Sequence, residues 1–171
     1  MTFSEMTEAR YSVKKFSEKN VEEEKLKKIL EVAGKAPTAR NAQCIRIYVL
    51  KTDDAIAKAR ELTPCIYGAP LCLMFSYNID EAYPYPGETN RNSGDEDCAI
   101  VATHVMLEAS ELGLGTCWVN NFSPSKAKSI FNLPENETVV LLMPLGYASP
   151  DAKPLAKHFE KKAIDEIVTV L

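Results

Sequence analysis

Arg10, Ser12 and Lys14 stand at alternate positions in Arg-Tyr-Ser-Val-Lys-Lys-Phe. Extended backbone would put all three on one face, whereas a helix would align Arg10 with Lys14, four residues on. Either geometry gathers cationic and hydroxyl donors, which suits a phosphate or the anionic edge of a ring. A solvated basic patch fits the same spacing. The second chemical stretch is 36–43, Ala-Pro-Thr-Ala-Arg-Asn-Ala-Gln. Its small side chains admit a flat ligand, and the amides of Asn41 and Gln43 offer paired donors and acceptors without charge. By itself it reads equally as an ordinary helix-to-strand connection. No Ser-His-Asp or Cys-His arrangement stands out. These residues are suited to binding and to charge stabilisation, not to nucleophilic attack.

The elements that must position these groups are marked locally. Asn20 with Glu23 three residues later predicts a capping box that opens a helix. Leu26, Ile29, Leu30 and Ala33 recur at helical spacing, and Pro37 stops the run. Ile45–Leu50 predicts a strand and Asp53–Leu62 a second helix. Residues 71–75, continuously apolar, predict a strand buried on both faces. Residues 78–95 are rich in Pro, Gly and Asn and carry Tyr83 and Tyr85, which predicts a flexible flap over a site.

Residues 98–112 predict the longest helix, apolar nearly all round and therefore packed against the sheet or a partner subunit. Gly113 stops it. Residues 114–119 predict a strand carrying Trp118. Ser123 and Pro124 supply an N-cap and a first-turn proline for a short helix over 125–132, and residues 138–142 read as a further strand. A tail with Lys153, Lys157, Lys161 and Lys162 leads to 164–171, a β-branched apolar run that needs somewhere to bury. No repeat or linker divides the chain, so a single domain over 1–171 is expected, α/β or α+β around one sheet.

Composition narrows the classes. At 171 residues, 46% hydrophobic and 26% charged, the chain is an ordinary globular length and mixture. A net charge of -4 argues against nucleic acid as partner. No apolar run approaches the ~18 residues of a membrane span. The start carries Glu5 and Glu8 and no signal core, so a cytoplasmic location is expected. Cys44, Cys65, Cys72, Cys98 and Cys117 are odd in number and widely spaced. With His104 and His158 far apart, no metal site is expected.

Taken together, four stretches in order resemble the nitroreductase family of flavin enzymes. Residues 10–16 are similar to its opening Arg-x-Ser-x-Arg/Lys element. Residues 36–43 are similar to its Ala-Pro-Ser/Thr-x-x-Asn-x-Gln loop. Leu-Gly-Leu-Gly-Thr-Cys-Trp-Val at 112–119 follows a long helix, and Pro144-Leu145-Gly146-Tyr147 precedes the basic tail. The resemblance covers nearly the whole chain.

It implies an α+β, three-layer fold: a mainly antiparallel central sheet flanked by helices, in an intertwined homodimer with two FMN sites at the interface. Arg10 and either Lys161 or Lys162 would hold the FMN phosphate. Tyr11 and Ser12 would touch the cofactor, and Lys14 would lie at the pyrimidine edge as electrostatic support. Pro37, Thr38, Ala39, Asn41 and Gln43 would approach from the other subunit. Trp118, Val119 and Asn120 would face the dimethylbenzene-to-N5 side.

The implied activity is a ping-pong oxidoreductase reaction. NAD(P)H gives hydride to flavin N5, and a nitroaromatic, quinone or similar small-molecule acceptor takes it. The same fold also implies alternatives: reductive dehalogenation, flavin reduction or degradation, and a non-catalytic flavin sensor. Departures are visible. Cys44-Ile45 replaces the family's Pro and aromatic residue after the loop glutamine, Asn120-Asn121 replaces a common glycine, and Lys14 stands where Arg is commoner, losing the bidentate fork. The chain is also short for the family, which leaves residues 78–95 as the candidate cover of the site.

Overall fold

The strand expected to be buried on both faces organises the molecule. In the computed structural model, which describes residues 2–171, this strand is β2 (Leu71–Asn78), flanked by β1 (Ile45–Leu50) and β4 (Glu137–Gly146). The short β3 (Gly115–Thr116) pairs along the far side of β4, giving the order β1-β2-β4-β3 with each neighbouring pair antiparallel. Helices α1 (Phe3–Ala9), α2 (Glu23–Ala33), α3 (Asp53–Leu62), α4 (Gly94–Glu111) and α5 (Pro124–Ile130) complete the fold.

Strand alternation divides the interior into two cores. Leu71, Leu73 and Phe75 of β2 join Leu26 and Ile29 of α2 and Val101 and Val105 of α4 on one face. Cys72 and Met74 turn to the other, beside Ile56 of α3 and Ala127 of α5. A register shift between Phe75 and Ser76 changes the parity along β4. Leu141 and Met143 therefore meet the first core while Val139, also odd-numbered, meets the second. The result is helices, sheet, helices: an α+β three-layer fold.

Several local expectations need correction. Asn20 does not cap α2; the N-cap position is Glu22, and its side chain makes no capping bond. The strand expected over 114–119 pairs regularly only at Gly115 and Thr116, with an isolated bridge from Val119 to Leu142. The run 164–171, expected to need somewhere to bury, finds no cover within its own chain: it opens with a 3-10 turn at Ile164–Glu166 and stays exposed. Helix α1 was not foreseen; its capping box pairs Thr2 with Glu5. Among the described residues, no helix is long and apolar enough to cross a membrane.

Candidate functional site

The segment 10–16 is extended, which decides between the two geometries open to it. Ser12 bridges Thr116 in parallel, and the Val13 N–H donates to the Thr116 carbonyl at 2.9 Å. Val13 and Phe16 point inward, while Ser12 and Lys14 point out. Gly115 makes this close passage possible, since a Cβ there would lie 2.5 Å from Val13 Cγ2.

Ser12 and Lys14 line a cavity of about 440 Å³, within the ~300–1,000 Å³ typical of small-molecule sites. Tyr11 is on its rim, Trp118 and Val119 form a wall, and Asn120 and Asn121 reach it from the following turn. No lining residue is a carboxylate. Arg10 lines an adjoining hollow of about 190 Å³ that shares Tyr11. Among the described residues, Arg10, Lys14 and Lys157 form no salt bridge, whereas Lys15 is paired with Asp151.

The Asn120 amide is already committed. The Trp118 indole N–H donates to Asn120 Oδ1 at 2.6 Å, and Asn120 Nδ2 donates to the Val140 carbonyl at 3.0 Å. The side chain thus fixes the indole against β4. Asn121 Nδ2 instead donates to Cys65 Sγ at 3.7 Å.

Cys65 itself escaped the sequence reading, as did Tyr67. Both lie in the turn after α3, which carries no local pattern beyond that of a helix end, and both line the cavity. The Tyr67 hydroxyl, helped by Thr63, Asn121 and the Lys14 charge, holds the Cys65 thiol below its ordinary value against partial burial. Burial pushes Cys117, on the same cavity, upward.

From the tail, Lys157 and His158 line the cavity, with His158 edge-on to Tyr11 at 6.5 Å between ring centroids. Lys161 and Lys162 are exposed outside it, and Lys161 Nζ donates to the His158 carbonyl at 2.7 Å. Four lysines at close spacing gave no signal for which one faces inward.

None of Pro37, Thr38, Ala39, Asn41 and Gln43 lines this cavity. Thr38 and Gln43 edge a separate hollow of about 180 Å³ against α2 and β1. The Gln43 N–H donates to Thr38 Oγ1 at 3.1 Å, and Arg40, Asn41 and Gln43 all adopt left-handed backbone, at φ 51°, 56° and 50°. Of the expected flap 78–95, Asn78 closes β2 and Gly94 and Asp95 open α4; the remaining residues 79–93 also lie away from the cavity, with Pro84 bridging Asn92 and a separate hollow bordered with Tyr77.

Lysines without a salt bridge among the described residues, a hydroxyl, amides and an indole wall, without a carboxylate, make a lining chemically suited to an anionic and partly flat small molecule, on an antiparallel α+β scaffold. The chain belongs to the nitroreductase family, whose sequence model matches residues 7–63 and 59–147. It is similar to a nitroreductase family protein of Clostridium difficile 630, with a TM-score of 0.92 at 34% identity, covering 99% of this chain and 98% of that one. An FMN-dependent nitroreductase of Clostridium difficile R20291 superposes with a TM-score of 0.74 over 92% of this chain and 96% of that one; at 23% identity this likeness concerns the fold. An NADH dehydrogenase of Thermus thermophilus is 24% identical over 85% of this chain and 86% of its own length.

Proposed function

We propose that this member of an oxidoreductase family is an FMN-dependent homodimer that takes hydride from NAD(P)H and delivers it, by a ping-pong route, to a nitroaromatic, quinone or similar acceptor. The observation that carries the reading is the extended Arg10-Ser12-Lys14 segment, whose cations have no carboxylate partner among the described residues and which borders a cavity without acidic residues. That donor set fits a phosphorylated flavin. FMN, when bound, supplies a centre that accepts and releases two electrons.

The chain's own residues then bind and tune. Arg10 is the fixed cation for the phosphate, aided by a tail lysine. Lys157 joins Lys161 and Lys162 as a candidate, because it faces the cavity. Ser12 offers a hydroxyl to the cofactor. The Lys14 ammonium, which lines the cavity, would stabilise negative charge on a flavin held there and so raise its potential. Trp118, locked by Asn120, forms a rigid wall beside Val119. No protein nucleophile is required, because the cofactor performs the hard chemistry.

A dimer is supported from two directions. The loop 36–43 is remote from its own chain's cavity and is thus available to its partner's. The tail meanwhile exposes Phe159 at 70% and Ile164 at 73%, and large apolar side chains left open this close together in sequence fit an interface with a second copy.

The test begins with an absorbance spectrum of the protein as isolated, repeated anaerobically after NADH and after NADPH. A yellow protein bleached by a nicotinamide is expected; a colourless protein that ignores added FMN ends the proposal. Arg10→Ala is expected to weaken FMN retention about tenfold or more, the usual scale for losing a charge-assisted bond. Unchanged flavin content in that variant would refute the phosphate role.

A further inference from the structure

One buried carboxylate joins two segments that are distant in sequence. Asp97, in the first turn of α4, is 2% exposed. Its Oδ1 accepts from the Ala39 N–H at 2.8 Å. Its Oδ2 accepts from the Ser93 hydroxyl at 2.7 Å and the Cys44 thiol at 3.7 Å. Ser93 Oγ in turn accepts from the Tyr83 N–H at 3.2 Å, and the Ser93 N–H donates to the Tyr83 carbonyl at 2.9 Å. An unbroken hydrogen-bonded path therefore runs from the loop 36–43, through Asp97 and Ser93, into the segment 79–93. The Arg40 guanidinium, 5.5 Å from the Tyr83 ring centroid, clasps the same two segments from outside.

This connection meets a physical need. Arg40, Asn41 and Gln43 hold left-handed backbone without being glycine, a conformation that persists only where the surroundings over-determine it. Inside the loop, the Asn41 N–H donates to the Thr38 carbonyl, the Ala42 N–H to the Ala39 carbonyl and the Gln43 N–H to Thr38 Oγ1. Those bonds are internal and do not anchor the loop to the body. The Asp97–Ala39 bond does. Among the described residues, no cation pairs with Asp97. Donors from the loop, β1's leading Cys44 and the segment 79–93 satisfy it instead, which is how a buried acid is tolerated.

We propose that Asp97 is a positioning residue that locks the loop 36–43 and the segment 79–93 into one unit, presented together to the flavin site of the partner subunit. The lock is a property of this chain; its effect on flavin rests on the function proposed above.

Two variants separate the possibilities. Asp97→Asn keeps the size but turns one acceptor oxygen into a donor among donors. Ser93→Ala removes the hydroxyl that links Asp97 Oδ2 to the Tyr83 N–H, leaving the Ala39 bond and the backbone bond from Ser93 to Tyr83 in place. Hydrogen–deuterium exchange on the full-length protein reads the lock directly. Asp97→Asn is expected to speed exchange in 36–43 and 79–93 together, with the strands β2 and β4 unchanged, and Ser93→Ala to speed it in 79–93 alone.

Asp97→Asn should also weaken FMN binding about tenfold and change the KM for the acceptor more than kcat, the scale of one lost charge-assisted bond. Exchange that rises evenly over the sheet, or in neither segment, overturns the proposal. So does an FMN-binding wild type whose Asp97→Asn variant keeps its FMN affinity and KM. If the wild type takes up no FMN, the flavin reading falls and the exchange pattern alone judges the lock. If Asp97→Asn does not fold, Ser93→Ala decides: faster exchange confined to 79–93 supports the lock, and unchanged exchange there overturns it.

Discussion

Lys14 and Lys15 are adjacent and have opposite fates. Lys15 pairs with Asp151 on the surface, where solvent and salt screen such a contact and leave it little weight in stability. Lys14 faces the cavity, with its ammonium 5.9 Å from the Tyr67 ring centroid. Both side chains are exposed, and what separates their roles is the partner each meets: the Asp151 carboxylate for Lys15, the cavity and its Tyr67 ring for Lys14. The same cavity selects one thiol out of five. Burial raises Cys44 to about 11 and Cys72 to about 12, while Cys65 is half-buried and held below its ordinary value of 9.0. A depressed thiol forms its thiolate, the reactive species, at lower pH. Limiting maleimide should therefore label Cys65 first, at a rate that climbs below pH 9.0. Peptide mass mapping checks it, and a Cys65→Ser variant that takes up label as fast as wild type would sink the assignment.

Elements are joined here by side chains as much as by the sheet. At the start of α2, the Glu22 carboxylate accepts from the Tyr147 hydroxyl at 2.7 Å, just past the end of β4. Lys25 Nζ donates to that hydroxyl at 3.0 Å and to the Leu112 carbonyl, at the end of α4, at 2.7 Å. The Tyr147 bond, with Lys19 assisting, holds Glu22 down to about 2 from 4.5. A carboxylate depressed on folding stabilises above its unfolded value and loses that contribution as pH falls through its folded value. The window here is from 4.5 down to about 2. Glu22→Gln is accordingly expected to lower the melting temperature slightly at neutral pH and to show a shallower acid decline than wild type. Parallel melting curves across that window would remove Glu22 from the acid response. Because the group is exposed, added salt should shrink the difference.

At the scale of the whole molecule, the tail is the unresolved balance in a single chain. Scattered exposed apolar residues are normal, but Phe159, Ile164, Ile167, Val168 and Val170 fall within a dozen positions, and all are exposed. Such a run gains stability only by covering something, and a second copy of the chain is the proposed surface. Removing residues 164–171 is expected to shift sedimentation from dimer toward monomer as the protein is diluted, with FMN retention falling in step. A truncated protein that stays dimeric at the lowest concentrations would show that the tail does not hold the pair together.

Much of this protein is decided by local chemistry and can be read without the fold. Pro37 must end a helix, Ser123 with Pro124 must begin one, and residues 71–75 are too apolar to lie anywhere but inside. The family motifs are equally local, so Ser12, Lys14 and Trp118 could be singled out by type and spacing. Other features depend on pairs that the chain separates widely, and no local pattern records them. The Phe75/Ser76 register shift, the place of Lys157 at the cavity and the meeting of Cys65 with Asn121 are of that kind. So is Asp97, which looks like an ordinary acid in a helix's first turn until folding brings Ala39 and Ser93 to its two oxygens. Periodicity and propensity act over a few residues, whereas the choice of who faces whom is made by burial, when the sheet closes against its two layers of helices.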